Sequence, residues 1–108
     1  MSTPLFSLMH CTARLTPGQA FYWGDTMQVW HRRADNPKNV EYIVGVDERD
    51  YHKITPVVHL WKHFHYQINY GRPCAVDAWN TAAAVSTGEV MITVADDYFP
   101  PEHWDSAI

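Results

Sequence analysis

The sequence predicts an α/β domain, a Rossmann-like three-layer αβα arrangement around a mostly parallel sheet of about four strands. Three observations carry this reading. Short runs rich in β-branched and aromatic residues alternate with segments whose apolar residues recur every three or four positions, in the order βαβαβαβ. Thr is followed directly by Pro at two helix starts, Thr16-Pro17 and Thr55-Pro56. The chain has 108 residues, which suits one core and is read as a single domain spanning residues 1–108.

The elements follow in order. Leu5-Phe6-Ser7-Leu8-Met9-His10-Cys11 is a short, mostly apolar run of strand length. Thr16-Pro17 then opens a helix whose face is Ala20, Trp23, Met27, Trp30 and Ala34. Gly24 inside it costs about 1 kcal/mol relative to Ala. Asp35-Asn36-Pro37 stops the helix, and Val40-Glu41-Tyr42-Ile43-Val44-Gly45-Val46 reads as a second buried strand ending at Asp47. Residues 55–70 carry two patterns. Val57, Leu60, Trp61, Phe64 and Ile68 sit at helical spacing, whereas Phe64, Tyr66, Ile68 and Tyr70 alternate with polar residues. The segment divides into a short helix through about Trp61 and a strand from about His63 to Asn69. Ala75 to Thr87 is an alanine-rich helix with Gly88 as its terminating C′ glycine. Glu89 to Ala95 is the fourth strand, and Glu102 to Ile108 forms a last helical turn.

Composition narrows the function. Hydrophobic residues are 46% and charged residues 19%, a globular balance. A net charge of −4 argues against a protein that tracks nucleic-acid phosphates. No apolar run is long enough to span a bilayer, and Met1-Ser2-Thr3-Pro4 lacks a basic leader, so a soluble cytoplasmic protein is expected. Two cysteines, Cys11 and Cys74, allow one bridge at most.

In parallel sheets of this kind ligands lie beyond the carboxyl ends of the strands. Polar residues gather at those ends: Thr12 and Arg14, Asp47 and Arg49, Asn69 and Arg72, Asp96 and Asp97. The adjacent carboxylates of Asp96-Asp97 repel one another. A hard divalent cation shared with a phosphate would relieve that, and a solvated acidic loop is the plain alternative. Asp47 suits a hydrogen bond to a base or ribose, or serves as a cap or a solubilising loop residue. His59 and His63 at helical spacing, or His63 and His65 on one strand face, have the geometry for Zn²⁺; their aromatic neighbours favour packing instead. His10 and Cys11 are adjacent on a strand, point to opposite faces, and do not form a nucleophile–base pair. Trp23, Trp30 and Trp79 are most simply core.

Four stretches, Phe6–Arg14, Asn36–Asp47, Asp77–Ala84 and Thr87–Asp97, are spread along the chain from Phe6 to Asp97. Taken in this order they resemble the nucleotide-sugar-binding half of GT-A glycosyltransferases, in particular family 2 and its phage-type relatives. In the third stretch Asn80 matches the Ala-Arg-Asn of relatives, and Trp79 departs from it. The resemblance implies a nucleotide-diphosphate sugar donor, Mg²⁺ or Mn²⁺ as cofactor, and transfer to an unidentified acceptor. Asp97 would be the main protein ligand of the cation. Asp96 would contact the ribose or the cation's water shell, and Asp47 the base. Cys11 stands where many relatives have Thr, and Ala13 where many have a stacking Tyr. Thr12 and Arg14 join the nucleotide-binding set, with Arg72 from the loop that reaches the nucleotide in relatives. The chemistry implied is metal-assisted departure of a nucleoside diphosphate.

The resembled enzymes continue past the acidic motif into a half that binds the acceptor and supplies the general base. Here Glu102 and Asp105 are the only later carboxylates. Three readings follow: a glycosyltransferase that completes its site by oligomerising or with a further segment, a nucleotide-binding module without transfer, or an interaction protein. The missing half also implies an uncovered apolar sheet edge or helix face near the C-terminus, favouring self-association.

Overall fold

The computed structural model describes residues 4–54 and 61–107. Four strands form one sheet: β1 (Phe6–Thr12), β2 (Val40–Asp47), β3 (His63–Asn69) and β4 (Val90–Val94). Every pairing is parallel and the spatial order is β3-β2-β1-β4. Three α-helices accompany them: α1 (Trp23–Arg32), α2 (Ala75–Val85) and the short α3 (Trp104–Ala107). The chain therefore builds outward from β1 to β3, then returns to place β4 on the other side of β1. That reversal makes the carboxyl ends of β1 and β4 the topological switch point.

Strand alternation assigns the two faces. Phe6, Leu8, Tyr42, Val44, Val46 and Val94 point to one face and form the main core with Trp23, Met27 and Trp30 of α1 and Trp104 of α3. Met9 and Ile43 point to the other face and meet Trp79, Ala82 and Ala83 of α2. The result is the expected αβα sandwich. Small residues bring α2 close: a Cβ on Gly45 would stand 3.0 Å from the Ala78 carbonyl oxygen.

Most element boundaries lie within two residues of the sequence reading, and β3 spans His63–Asn69 as read. Two features differ, and a third lies almost wholly outside the described residues. The first helix begins at Trp23, not at Thr16. Thr16 accepts a turn hydrogen bond from the Gln19 amide, Gly18 takes φ 86° and Phe21 φ 55°, and the chain cannot coil through such left-handed positions. Ala20 is exposed as a result, and Ala34 lies beyond the helix end. Gly24 has a packing reason, since a Cβ there would sit 2.6 Å from the Tyr22 ring.

The second difference is Gly88, which is not a C′ glycine. Helix α2 ends at Val85 with extended Ser86 as its C-cap, and Gly88 lacks positive φ. Its backbone instead presses against β1: a Cβ would lie 2.7 Å from the Phe6 carbonyl carbon and the Ser7 nitrogen. Third, the helix from Thr55 to Trp61 falls on residues outside those described, except Trp61. That residue is buried outside any helix, its ring 5.1 Å from Tyr42 and 4.8 Å from His31.

A buried carboxylate closes the end of the sheet away from the switch point. Glu41 accepts hydrogen bonds from Ser7 Oγ (2.8 Å), the Thr87 amide (2.9 Å) and Thr87 Oγ1 (3.1 Å). Burial pushes its pKa up, but these hydrogen bonds outweigh burial and leave it below the ordinary value.

The C-terminal segment is pinned to the end of α1. Trp104 packs edge-on against Trp30 and Phe6 and donates from Nε1 to the Trp30 carbonyl. The Asp105 carboxylate receives the Asp35 and Asn36 amides. This segment packs on the Trp30 side of α1, and beside it Trp30, Ile92, Tyr98, Phe99 and Trp104 line an open apolar hollow. The sheet edge remains, with Met91 of β4 55% exposed. No helix among the described residues is long and apolar enough to cross a membrane.

Gly88→Ala is expected to cost about 1–3 kcal/mol, because the neighbouring atoms are backbone and cannot yield as a side chain end would. Urea unfolding of the variant beside the parent measures this directly.

Candidate functional site

A cleft of about 440 Å³ opens at the switch point. Its floor and walls come from four places in the chain: Cys11 to Arg14 after β1, Asp47 and Arg49 after β2, Pro73 to Ala75 with Ala78 at the start of α2, and Ala95 to Asp97 after β4. Phe21 completes it from the loop before α1. Of the residues singled out in the sequence, Cys11, Thr12, Arg14, Asp47, Asp96 and Asp97 all line this one cleft. Arg72 does not. Its guanidinium is directed to Asp77 in the first turn of α2, with Nη2 3.2 Å from the carboxylate, and the side chain is largely exposed.

The two acidic residues after β4 have different environments. Asp96 is held from within the protein. His10 Nε2 lies 2.7 Å from Asp96 Oδ1, and Thr12 Oγ1 donates to Oδ2 at 2.9 Å. On the far side of the ring, His10 Nδ1 lies 2.6 Å from the Tyr42 hydroxyl. Tyr42 is fully buried; burial first, and the Asp96 charge second, raise its pKa well above the ordinary value. The phenol therefore keeps its proton; an ionised Asp96 can only accept, so Nε2 carries the N–H directed to it, and in the neutral imidazole Nδ1 then accepts from the Tyr42 hydroxyl. Tyr42, His10 and Asp96 thus make one chain of donors running from the core to the cleft. Asp97 is exposed, and among the described residues nothing donates to its carboxylate.

The backbone around this acidic turn is fixed as firmly as the side chain. Trp79 Nε1 donates to the Val94 carbonyl (3.1 Å), Thr26 Oγ1 to the Asp96 carbonyl (2.5 Å) and Trp30 Nε1 to the Tyr98 carbonyl (2.8 Å). Alternate carbonyls are caught from both layers of helix. Helical periodicity identifies Trp30 and Trp79 as core residues, which they are in part, but gives no sign of these indole donors.

On the opposite wall, Asp47 Oδ1 accepts from Asn69 Nδ2 at 2.9 Å, and Asn69 is itself buried. The Arg14 guanidinium has no hydrogen-bond or ion-pair partner among the described residues, whereas Arg49 lies 3.6 Å from Asp50. The cleft carries three carboxylates (Asp47, Asp96, Asp97) against two guanidinium groups (Arg14, Arg49), a formal charge of −1.

Cys11 and His10 point to opposite faces of β1, as expected for strand neighbours. Burial, with the Asp96 charge second, pushes the Cys11 thiol up to about 12, so it is protonated and a poor nucleophile near neutral pH. His63 and His65 share one face of β3, and His65 lies 3.5 Å from Glu41. His59 lies outside the described residues. Among the described residues no group of three or more His, Cys, Asp or Glu side chains is arranged to hold a metal ion. A cation at Asp97 would need ligand oxygens to complete its shell, as Mg²⁺ commonly does when it takes one or two carboxylates beside phosphate oxygens.

Phe21 gave no signal in the sequence. Its φ of 55° is an outlier for a bulky residue, at a cost of order 1–3 kcal/mol. Its ring is 52% exposed and rests 6.2 Å from that of Phe99.

Comparison with known proteins yields no match among family models, curated proteins or solved structures. The geometry of the cleft is therefore the ground for a functional reading.

Asp96→Ala leaves the buried His10 Nε2–H without its partner, and is expected to cost about 1–3 kcal/mol in urea unfolding. Asp97→Ala is expected to fall within about 0.5 kcal/mol of the parent. Alkylation with iodoacetamide near neutral pH, followed by intact-mass measurement, is expected to add one group, at the exposed Cys74 and not at Cys11.

Proposed function

We propose that the cleft binds a nucleoside-diphosphate sugar together with Mg²⁺ or Mn²⁺, in the manner of a glycosyltransferase donor site. The observation that carries the reading is the convergence of Asp47, Arg14 and Asp97 on one cleft at the switch point of a parallel sheet. In this assignment Asp47 accepts a hydrogen bond from the base or ribose, and Arg14 meets a phosphate. Asp97 holds the cation. A cleft of net negative charge would repel a diphosphate. A divalent cation reverses the sign, and when bound it would neutralise the diphosphate as a leaving group. Asp96 has a different task from the metal-ligand role that its sequence neighbourhood suggests. With both oxygens engaged by His10 and Thr12, it positions the turn and leaves Asp97 as the main cation ligand.

Among the described residues, the carboxylates after Asp97 bring no general base to this cleft. Glu102 and Asp105, the two later carboxylates, lie outside the cleft: Glu102 is 3.6 Å from Arg33, and Asp105 caps the amides after α1. Neither is placed to act as a general base on an acceptor bound there.

Thermal unfolding with UDP, GDP, CDP and dTDP sugars, with and without Mn²⁺, tests the reading. A matched nucleotide at about 100 times its Kd should stabilise the fold by roughly 2.7 kcal/mol, a rise of order 10 °C in Tm. The rise should need Mn²⁺ and disappear in Asp97→Ala. If no nucleotide moves the transition, this function is wrong. If binding occurs without donor hydrolysis or transfer, the binding module is the correct form of it.

A further inference from the structure

We infer that Phe21, braced by Phe99, is the wall against which the sugar ring of the donor packs, so that this aromatic pair discriminates the sugar while the rest of the cleft holds the nucleotide. The inference rests on the nucleotide-sugar reading and adds to it the residues that would recognise the sugar.

Position comes first. Phe99 follows Asp97 by two residues, and its ring centroid is 6.2 Å from that of Phe21. Phe21 lines the cleft and Phe99 does not, but the contact between the rings sets Phe21 on the Asp97 side of it. Asp47 reaches the cleft from the far side of β1, at the end of β2. With the nucleoside toward Asp47 and the diphosphate at Asp97, the group attached beyond the diphosphate is the one that comes to Phe21.

Chemistry agrees. A pyranose carries hydroxyls around its rim and a patch of C–H bonds on one face. A phenyl ring offers dispersion and a negative π-face to those C–H bonds without competing for hydrogen bonds. Phe21 is about half exposed, at 52%, so ligand contact in the cleft would remove apolar surface from water.

The backbone supplies a separate argument. Phe21 takes a conformation that glycine adopts without strain and that a side chain with a Cβ disfavours. Two hydrogen bonds hold it there: the Tyr22 amide donates to the Gln19 carbonyl, and the Trp23 amide to the Arg14 carbonyl. The second ties the Phe21 loop to the segment that carries Arg14 into the cleft. A half-exposed ring returns little packing to the core, so the local fold gains little from having Phe rather than Gly at this position.

The test compares the parent with Phe21→Gly and Phe21→Tyr by isothermal titration. The ligands are UDP, GDP, CDP and dTDP and their hexose conjugates, in Mn²⁺. Phe21→Gly should melt at the parental temperature or above and bind the nucleoside diphosphate as the parent does. It should bind the sugar conjugate about tenfold more weakly. Phe21→Tyr should restore the conjugate affinity. Should Phe21→Gly not fold, Phe21→Leu keeps an apolar side chain without the ring and carries the same comparison.

Parental affinity for the conjugate in the ring-less variant would overturn the assignment. So would an equal loss for diphosphate and conjugate, which would place Phe21 on the nucleotide instead. In both cases nucleotide binding by the parent survives, so the failure is of this inference alone. If the parent binds no nucleotide, both readings fall together.

Discussion

The Asp96 carboxylate is gripped from beneath by His10 and Thr12, and the geometry of the cleft depends on that grip. The three residues come from adjacent parallel strands or the turn that follows them, so the contact can form only once β4 has docked beside β1. Behind it, the Tyr42 hydroxyl fixes the imidazole from the second strand. A buried polar chain of this kind stabilises only when every member is satisfied, because an unpaired buried donor costs more than a made hydrogen bond returns. Here each ring nitrogen and each carboxylate oxygen has a partner. The acidic turn is thus set by the core, and Asp97 inherits its position from Asp96.

This division of labour resolves the repulsion between neighbouring carboxylates. Asp96 turns inward, to two hydrogen-bond donors. Asp97 turns outward, where water or a cation can meet it. The helices contribute by catching the Val94, Asp96 and Tyr98 carbonyls, which holds the backbone of the turn still. On the other wall Asn69 does for Asp47 what His10 does for Asp96. A rigid frame with outward-facing oxygens, and an Arg14 without a partner among the described residues, suits a ligand that is charged, polar and bulky.

The fold was legible because parallel strands buried on both faces leave continuous apolar runs, and Val40 to Val46 is the clearest of them. The cleft was legible because the switch-point rule sends ligands to strand ends, where Thr12, Arg14, Asp47, Asp96 and Asp97 could be read in order. What stayed hidden is non-local or conformational. His10 and Asp96 are 86 residues apart, and no local pattern links them. Thr16-Pro17 has the chemistry of a helix start, yet Gly18 and Phe21 leave the right-handed region and delay the helix to Trp23. Gly88 looked like a helix terminator because it follows one; its real constraint is the backbone of Phe6 and Ser7, a contact made only in the folded sheet. Arg72 was expected in the nucleotide-reaching loop, but Asp77, five residues on, engages its guanidinium.

We propose that Asp97 holds a cation, and through it a diphosphate, at the carboxyl ends of β1 and β4. Paramagnetic broadening of amide NMR signals by Mn²⁺, in the presence of a nucleoside diphosphate sugar, tests it most directly. Ala95 to Asp97 and Thr12 to Arg14 should broaden first, and only when the nucleotide is present. Broadening centred on Glu48 and Asp50 or on Glu102 and Asp105, or indifferent to the nucleotide, would contradict it.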